Sequence, residues 1–133
     1  MSATRSFVWA VFCIGAAVSF GGCGSKFNLG EVTGIVTMDG TPTGGLQILF
    51  EPLDKDQPSS LGFTQSDGRY ELRCSSGEMG AVLGQHIVRV TPVERDDPEP
   101  GSVVIPHKYN NRSELQREVK SGQNTINLEL TSK

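Results

Sequence analysis

The stretch Leu61–Cys74, which reads LGFTQSDGRYELRC, indicates a β-hairpin. Asp67-Gly68 at its centre is typical of a two-residue type I′ turn, because both central positions of that turn need positive φ. This turn predicts a register in which Ser66 faces Arg69. Side chains alternate across a strand, so one face collects the apolar residues. The expected inward-facing residues are Leu61, Phe63, Gln65, Tyr70, Leu72 and Cys74.

Alternating segments on both sides of the hairpin predict further strands. Asp39-Gly40 marks a turn, and Pro42 beside it predicts a looser connection than a two-residue hairpin. Short strands with regular turn signals are typical of an antiparallel β-sandwich, so we expect an all-β fold of about seven strands. The other expected strands are Glu31–Met38, Leu46–Glu51, Gln85–Thr91, Glu114–Val119 and Asn124–Leu130.

The first 22 residues resemble an export signal. Arg5 is their only charge, and the apolar run Phe7–Val18 is shorter than the roughly 20 residues that a membrane-spanning helix needs. The following SFGGC, at Ser19–Cys23, resembles the cleavage site of bacterial lipoproteins, in which small residues precede the cysteine. The resemblance implies cleavage before Cys23, diacylglycerol on its sulfur and an acyl chain such as palmitate on its amine. An ordinary secretory signal or an uncleaved anchor is the alternative.

This interpretation divides the chain into three parts. Residues 1–22 are the signal peptide, residues 23–30 are a lipidated tether, and residues 31–133 are the β-sandwich domain. Two or three acyl chains hold a protein stably on a bilayer, whereas one chain anchors it only marginally. We therefore expect an exported protein, lipid-anchored to a bacterial membrane through Cys23 and facing the periplasm or the cell surface.

Charge and cysteine content exclude two classes of protein. With Arg5 removed from the 12 basic side chains, 11 face 15 acidic ones, a formal charge of −4 without a basic stripe, so no nucleic-acid partner is expected. With Cys13 removed and Cys23 lipidated, Cys74 is the remaining thiol, which excludes an intrachain disulfide. A catalytic thiol needs an exposed, electropositive setting. The hairpin register points Cys74 inward, which favours an inert core cysteine.

Several motifs together resemble one protein family. They are VTGIVTMDG at 32–40, TQSDGRYEL at 64–72, GQH at 84–86, IPHKYN at 105–110 and the closing strand Asn124–Leu130. As a set they are similar to small lipoproteins with a carboxypeptidase-regulatory-like or transthyretin-like domain, which are abundant in planctomycete bacteria. The resemblance implies a seven- to eight-stranded prealbumin (transthyretin)-like sandwich. It implies little about activity, since fold does not determine function.

Three kinds of reactive or metal site are disfavoured. Intradiol dioxygenases, on a related sandwich, bind iron with two histidines two positions apart, whereas 21 positions separate His86 from His107. The chain also lacks the Tyr-Arg-Gly-Ser terminus of hydroxyisourate hydrolases, and its acidic cluster matches no calcium loop. We therefore expect no cofactor and no metal. The residues considered were His86, His107, Tyr70 and Tyr109 for iron, and Glu94, Asp96, Asp97 and Glu99 for calcium.

The long irregular stretch Pro92–Arg112 admits two interpretations. Its length indicates a functional loop or a surface flap rather than a simple connection. His107, Lys108 and Tyr109 form a possible recognition patch on that flap. Alternatively, the segment is a lid whose Ile105 and Tyr109 cover the edge of the sandwich.

Taken together, these features predict a cell-envelope lipoprotein that is not an enzyme. The expected role is an accessory or interaction module with an envelope protein as its partner. A binding module for glycans or another small ligand is the alternative, and an enzyme of unknown reaction ranks third. An anchor and a sandwich without a paired acid–base or metal constellation favour this order.

Overall fold

A computed structural model describes residues 26–94 and 103–133. Two β-sheets stack into a sandwich, which confirms the all-β expectation. The signal peptide, Cys23 and the acidic residues Asp96, Asp97 and Glu99 lie outside the described residues. In chain order the strands are β1 (Leu29–Met38), β2 (Thr41–Pro42), β3 (Leu46–Pro52), β4 (Ser60–Phe63), β5 (Arg69–Glu71), β6 (Arg73–Cys74), β7 (Ala81–Val82), β8 (Gly84–Pro92), β9 (Gln116–Val119), β10 (Gln123–Thr125) and β11 (Leu128–Leu130).

The first sheet is built around β1. Strands β7, β5 and β2 pair with it in turn along one edge, antiparallel, while β10 and β11 pair along the other edge. The closing strands β10 and β11 run parallel to β1, with Val32 opposite Asn124 and Val36 opposite Leu128. The sequence predicted one closing strand in an antiparallel sandwich. The closing segment instead runs parallel to β1, and it divides into two short strands at residues 126 and 127.

The second sheet has the order β6-β4-β3-β8-β9 and is antiparallel throughout. Its two central strands follow the predicted alternation. Leu46, Ile48 and Phe50 on β3 face the core, and their neighbours on the same strand face outward. Strand β8 likewise buries alternate residues, including Val88 and Val90. Strict alternation of apolar residues therefore predicted these strands and their faces correctly.

Asp39-Gly40 forms a tight turn inside the connection between β1 and β3. Asp39 and Gly40 both have positive φ, 50° and 83°, and Met38 pairs with Thr41, so this is the two-residue turn of type I′ geometry. The next predicted strand, β3, lies in the other sheet, so residues 39–45 connect β1 to it in a looser way than a two-residue hairpin, as expected. Strand β2 lies at the edge of its sheet, where the missing N–H of Pro42 removes no interior ladder bond.

The hairpin at Leu61–Cys74 has a three-residue turn instead of the predicted two-residue turn. Gly68 has φ of 81°, its amide donates to the Gln65 carbonyl, and the Gln65 amide donates to the Arg69 carbonyl. This is a type I turn followed by a left-handed glycine. The extra turn residue shifts the register by one, so that Leu61 faces Arg73 and not Cys74.

The register shift inverts one strand of the hairpin. Ser60, Gly62 and Thr64 face inward, while Leu61 and Phe63 face outward. The inward positions of β4 approach the neighbouring backbone closely, because a Cβ at Gly62 would lie 2.6 Å from the Glu71 carbonyl oxygen. Small residues therefore occupy them. The second half of the hairpin keeps its predicted face, with Tyr70, Leu72 and Cys74 buried, but it divides into β5, which pairs with β1, and β6, which pairs with β4.

Tyr70 connects three parts of the first sheet. It lies opposite Gly34 on β1, and its hydroxyl donates to the Ile126 carbonyl at 2.6 Å. A Cβ at Gly34 would lie 1.9 Å from that carbonyl oxygen and 2.9 Å from a Tyr70 ring carbon. Only glycine at position 34 leaves room for this arrangement. The Asn127 side chain accepts from the Ile35 amide at 3.0 Å and bridges the break between β10 and β11.

Within residues 26–94 and 103–133, no helix has the length and apolar character needed to cross a bilayer.

Tyr70→Phe is expected to lower the free energy of unfolding by about 1 to 3 kcal/mol, since it leaves the Ile126 carbonyl without its partner. Tyr109→Phe is the matched control, because the Tyr109 hydroxyl bonds to Thr131 in a more exposed position. Urea unfolding of both variants measures the difference. Equal losses in the two variants would contradict the role assigned to Tyr70.

Gly68→Ala is expected to destabilise the fold more than Gly40→Ala. Both glycines have φ near 80°, where alanine costs about 1 to 2 kcal/mol. Gly40 is surrounded by open space, whereas a Cβ at Gly68 would lie 2.7 Å from the Val36 carbonyl oxygen. The two thermal unfolding midpoints test this comparison, and a lower midpoint for Gly40→Ala would refute it.

Candidate functional site

A groove of about 570 Å³ opens on the outer face of the second sheet, beside the hairpin. Its apolar part comes from Leu49, Leu61 and Phe63 on adjacent strands and from Met79 on the loop after β6. Leu49 lies directly opposite Leu61 in the β3–β4 ladder. Phe63 is 53% exposed and Met79 is 38% exposed. The groove is therefore an apolar surface that residues 26–94 and 103–133 leave open.

Polar and charged residues surround the apolar part. Arg73 lies opposite Leu61, and its guanidinium donates to the Gly77 carbonyl at 3.0 Å, which fixes it beside the loop that carries Met79. The other polar lining residues are Ser59, Gln65, Glu71 and Ser75. An apolar centre with a polar rim is the usual composition of a protein-binding surface.

The groove exists because of the inverted strand. Leu61 and Phe63 were predicted to face the core, and the one-residue register shift places both in the groove instead. The predicted two-residue turn therefore gave no indication of this site. One signal was present in the sequence: Ser60, Gly62 and Thr64 are small, as residues at a close approach of two strands must be.

The residues predicted as a recognition patch lie together in a different place. His107, Lys108 and Tyr109 form a short 3₁₀ helix. The Lys108 ammonium lies 4.9 Å from the centre of the Tyr109 ring and donates to Thr131 and to the Lys133 carbonyl. Partial burial raises the pKa of Tyr109, but hydrogen bonds with Thr131 and Lys108 outweigh it and lower the pKa below its ordinary value. The recognition role stays a prediction.

The lid interpretation of the same segment is confirmed by packing. Ile105 is buried in the hydrophobic core, and Tyr109 packs against it. The Arg89 guanidinium donates to the Asn110 carbonyl at 2.7 Å and holds the segment against β8. This part of the chain therefore covers an edge of the sandwich without forming a strand at residues 103–105.

The two histidines occupy opposite environments. His86 is fully buried, and its ring packs against Phe50 at 5.6 Å between ring centres. Its Nε2 lies 2.7 Å from the Val82 carbonyl oxygen, while Nδ1 makes no hydrogen bond of ordinary geometry with the described residues. Burial lowers the pKa of His86, and the bond to Val82 opposes this only in part. His86 is a neutral core residue, whereas His107 is exposed.

Cys74 and Tyr70 are also buried. Cys74 is a free, buried thiol, in agreement with the expectation of a core cysteine. Burial raises the pKa of Tyr70 far above its usual range, so its phenol stays protonated. Among residues 26–94 and 103–133, no three or more histidine, cysteine or acidic side chains come close enough to hold a metal ion.

Comparisons of this chain with protein-family models, with curated proteins and with solved structures found no match. The family resemblance therefore stays an expectation, and the groove and the N-terminal sequence are the features that indicate a function.

His86 is expected to make the protein less stable as the pH falls. Since its native pKa is lowered, the unfolded chain takes up a proton at about pH 6.5 while the native protein does not. Above pH 6.5, His86 does not lower the free energy of unfolding. As the pH falls from 6.5 towards the native pKa, the free energy of unfolding decreases by at most about 1.4 kcal/mol per pH unit. Urea unfolding between pH 4.5 and about 8 measures the slope.

Two variants separate His86 from other titrating groups. His86→Leu is expected to reduce the pH dependence of the free energy of unfolding below pH 6.5. His107→Leu, at an exposed position, is expected to leave this pH dependence unchanged. The same pH dependence in His86→Leu and the parent protein would show that other groups cause it.

Proposed function

We propose that this protein is a non-catalytic lipoprotein of the bacterial cell envelope, in which lipidated Cys23 anchors a β-sandwich that binds an envelope protein. The observation that carries the binding part is the groove lined by Leu49, Leu61, Phe63 and Met79. The anchoring part depends on the SFGGC sequence at Ser19–Cys23.

The composition of the groove supports a protein partner. Exposed apolar residues that are contiguous and rimmed by polar groups mark interaction sites on soluble domains. Here Phe63 supplies an aromatic anchor of the kind that dominates binding energy at interfaces. Glu71 and Arg73 on the rim carry opposite charges, which orient a partner of complementary charge more than they add affinity.

The burial and hydrogen bonding of the potentially reactive side chains support a non-catalytic role. His86 is buried in the core, Cys74 is 2% exposed although it borders the groove, and the Tyr70 hydroxyl is bonded to a backbone carbonyl. A general base or nucleophile must reach its substrate. Of the four histidines and tyrosines that the sequence singled out, His107 and Tyr109 retain contact with solvent, and Tyr109 is bonded to Thr131.

Binding of a small apolar ligand is the second candidate. The volume of about 570 Å³ falls in the range of small-molecule sites, and most of the close lining is apolar. A glycan is less well matched, since sugar binding favours several exposed aromatic rings. Phe63 is the one aromatic side chain among the described residues that line the groove.

Photo-cross-linking in cells tests the groove. A photoreactive phenylalanine analogue replaces Phe63 in the full-length protein, and the same analogue at Thr125, an exposed position on the first sheet, is the control. We expect ultraviolet light to give an adduct of one discrete mass at position 63 and none at position 125. Mass spectrometry of the adduct identifies the bound protein, and Cys23→Ser shows whether binding requires the anchor.

A second pair of variants tests whether apolar contact holds the partner. Leu61→Ser removes an apolar residue from the groove and is expected to weaken binding at least tenfold, since burial of a leucine contributes about 1.5 to 3 kcal/mol. Val104→Ser is the control, because Val104 is 81% exposed and outside the groove. Absence of any adduct at position 63, or equal weakening by both variants, would contradict the protein-binding proposal.

A further inference from the structure

One end of the sandwich, where the described chain begins, exposes two leucines. Leu83 is 40% exposed, and its amide donates to the Asn28 carbonyl at 3.1 Å. Leu53 is 50% exposed, and its amide donates to the Gln85 carbonyl at 3.0 Å. Gln85 is two residues from Leu83, so both leucines lie at the same end of the sandwich, beside Asn28.

An aromatic residue and two lysines extend this surface. Phe27 immediately precedes Asn28, and the Lys26 ammonium lies 5.7 Å from the centre of its ring. The backbone of Lys120 lies against Gly30, and the side chain of Lys120 is exposed. We call Phe27, Leu53 and Leu83 the anchor-end surface. Apolar side chains next to lysines, whose stems lie along apolar groups while their charges stay in water, are typical of surfaces at a membrane interface.

The position of Cys23 in the chain determines what this surface meets. Cys23 is five residues before Asn28, and five residues span at most about 18 Å. A lipid on Cys23 therefore holds the anchor-end surface within that distance of the bilayer. Strand β1 leads away from this end for ten residues, about 33 Å, to the Asp39-Gly40 turn. The opposite end of the sandwich is thus out of reach of the bilayer when the anchor-end surface faces it.

We propose that the anchor-end surface contacts the lipid bilayer directly, with Phe27, Leu53 and Leu83 at the boundary between headgroups and acyl chains. The tether supports this contact, because a surface held next to its binding partner has a high effective concentration and needs little intrinsic affinity. Asp54 follows Leu53 and Glu31 follows Gly30 in the chain, and both are exposed, so apolar contact and not net charge provides the attraction. The inference rests on lipidation of Cys23 in the proposed function.

In this orientation the sandwich stands on its end. The groove on the outer face of the second sheet then opens to the side, parallel to the membrane, where another envelope protein can reach it.

Tryptophan fluorescence tests the contact. Trp9 is the single tryptophan of the chain and lies in the signal peptide, so a tryptophan placed in the mature protein reports alone. Leu83→Trp and Leu53→Trp label the anchor-end surface. Ser66→Trp, at the exposed hairpin turn, labels the opposite end, and Phe63→Trp labels the groove. Each full-length protein is purified from membranes and reconstituted in phosphatidylcholine vesicles with or without brominated acyl chains.

Mass spectrometry first establishes whether Cys23 carries lipid. We then expect the tryptophans at positions 83 and 53 to emit at shorter wavelength and to lose intensity in brominated vesicles, while the tryptophan at position 66 changes in neither respect. Unfolding midpoints of the four variants confirm that each is folded.

The possible results separate the two proposals. An unmodified Cys23 overturns the proposed anchor and this inference with it. A lipidated Cys23 with no quenching at positions 83 and 53 overturns this inference alone. Stronger quenching at position 63 than at position 83 shows that the groove face lies on the lipid and also overturns it. A wavelength shift at position 83 that depends on protein density, at constant lipid, shows contact with a second copy instead.

Discussion

The hydrogen bond from the Tyr70 hydroxyl to the Ile126 carbonyl holds the two edges of the first sheet to its central strand. The phenol crosses over β1 at Gly34, where any Cβ would collide with the same carbonyl. A partly buried carbonyl that is turned out of a strand ladder is costly unless it is paired, and Tyr70 supplies the pair. Position 34 must therefore be glycine so that position 70 can be tyrosine and the closing segment can lie beside β1.

Once the closing segment is held there, the C-terminal residues meet two other parts of the molecule. The Ser132 amide donates to the Asp39 side chain at 3.0 Å, and hydrogen bonds from Ser132 lower the pKa of Asp39. Thr131 and Lys133 accept from Lys108. The turn after β1, the segment that covers the sandwich edge and the C-terminal residues thus depend on one another.

Local alternation in the sequence predicted the parts of the fold that local chemistry determines. Leu46, Ile48 and Phe50 fill one face of β3, which is paired on both sides. Their alternation is therefore compatible with one orientation of the strand's two faces. The hairpin sequence is compatible with two turn types, because Asp-Gly fits the end of a three-residue turn as well as the centre of a two-residue turn. The choice between them depends on packing of β4 against the Glu71 backbone, which the sequence does not display.

The choice between these two turn types determines whether the groove can be predicted from the sequence. With the two-residue turn, Leu61 and Phe63 belong to the core and no groove is expected. With the three-residue turn they line a groove. The parallel direction of the closing strands was also hidden, since alternation shows which face a strand buries and not which neighbour it pairs with. The proposed anchor at Cys23 depends on the sequence alone, because a lipoprotein signal is a linear motif.

The pairing of β1 with β10 and β11 has a consequence for how the chain folds. Ile35 and Asn127 bond across 92 positions of sequence, so the central strand of the first sheet obtains one of its neighbours only from the far end of the chain. Contacts of such long range raise the contact order and require a large loop to close before they contribute. Until residues 123–130 arrive, one edge of β1 has open backbone groups. A chain that crosses a membrane from its N-terminus onward therefore cannot complete this sheet until its last residues have emerged on the other side.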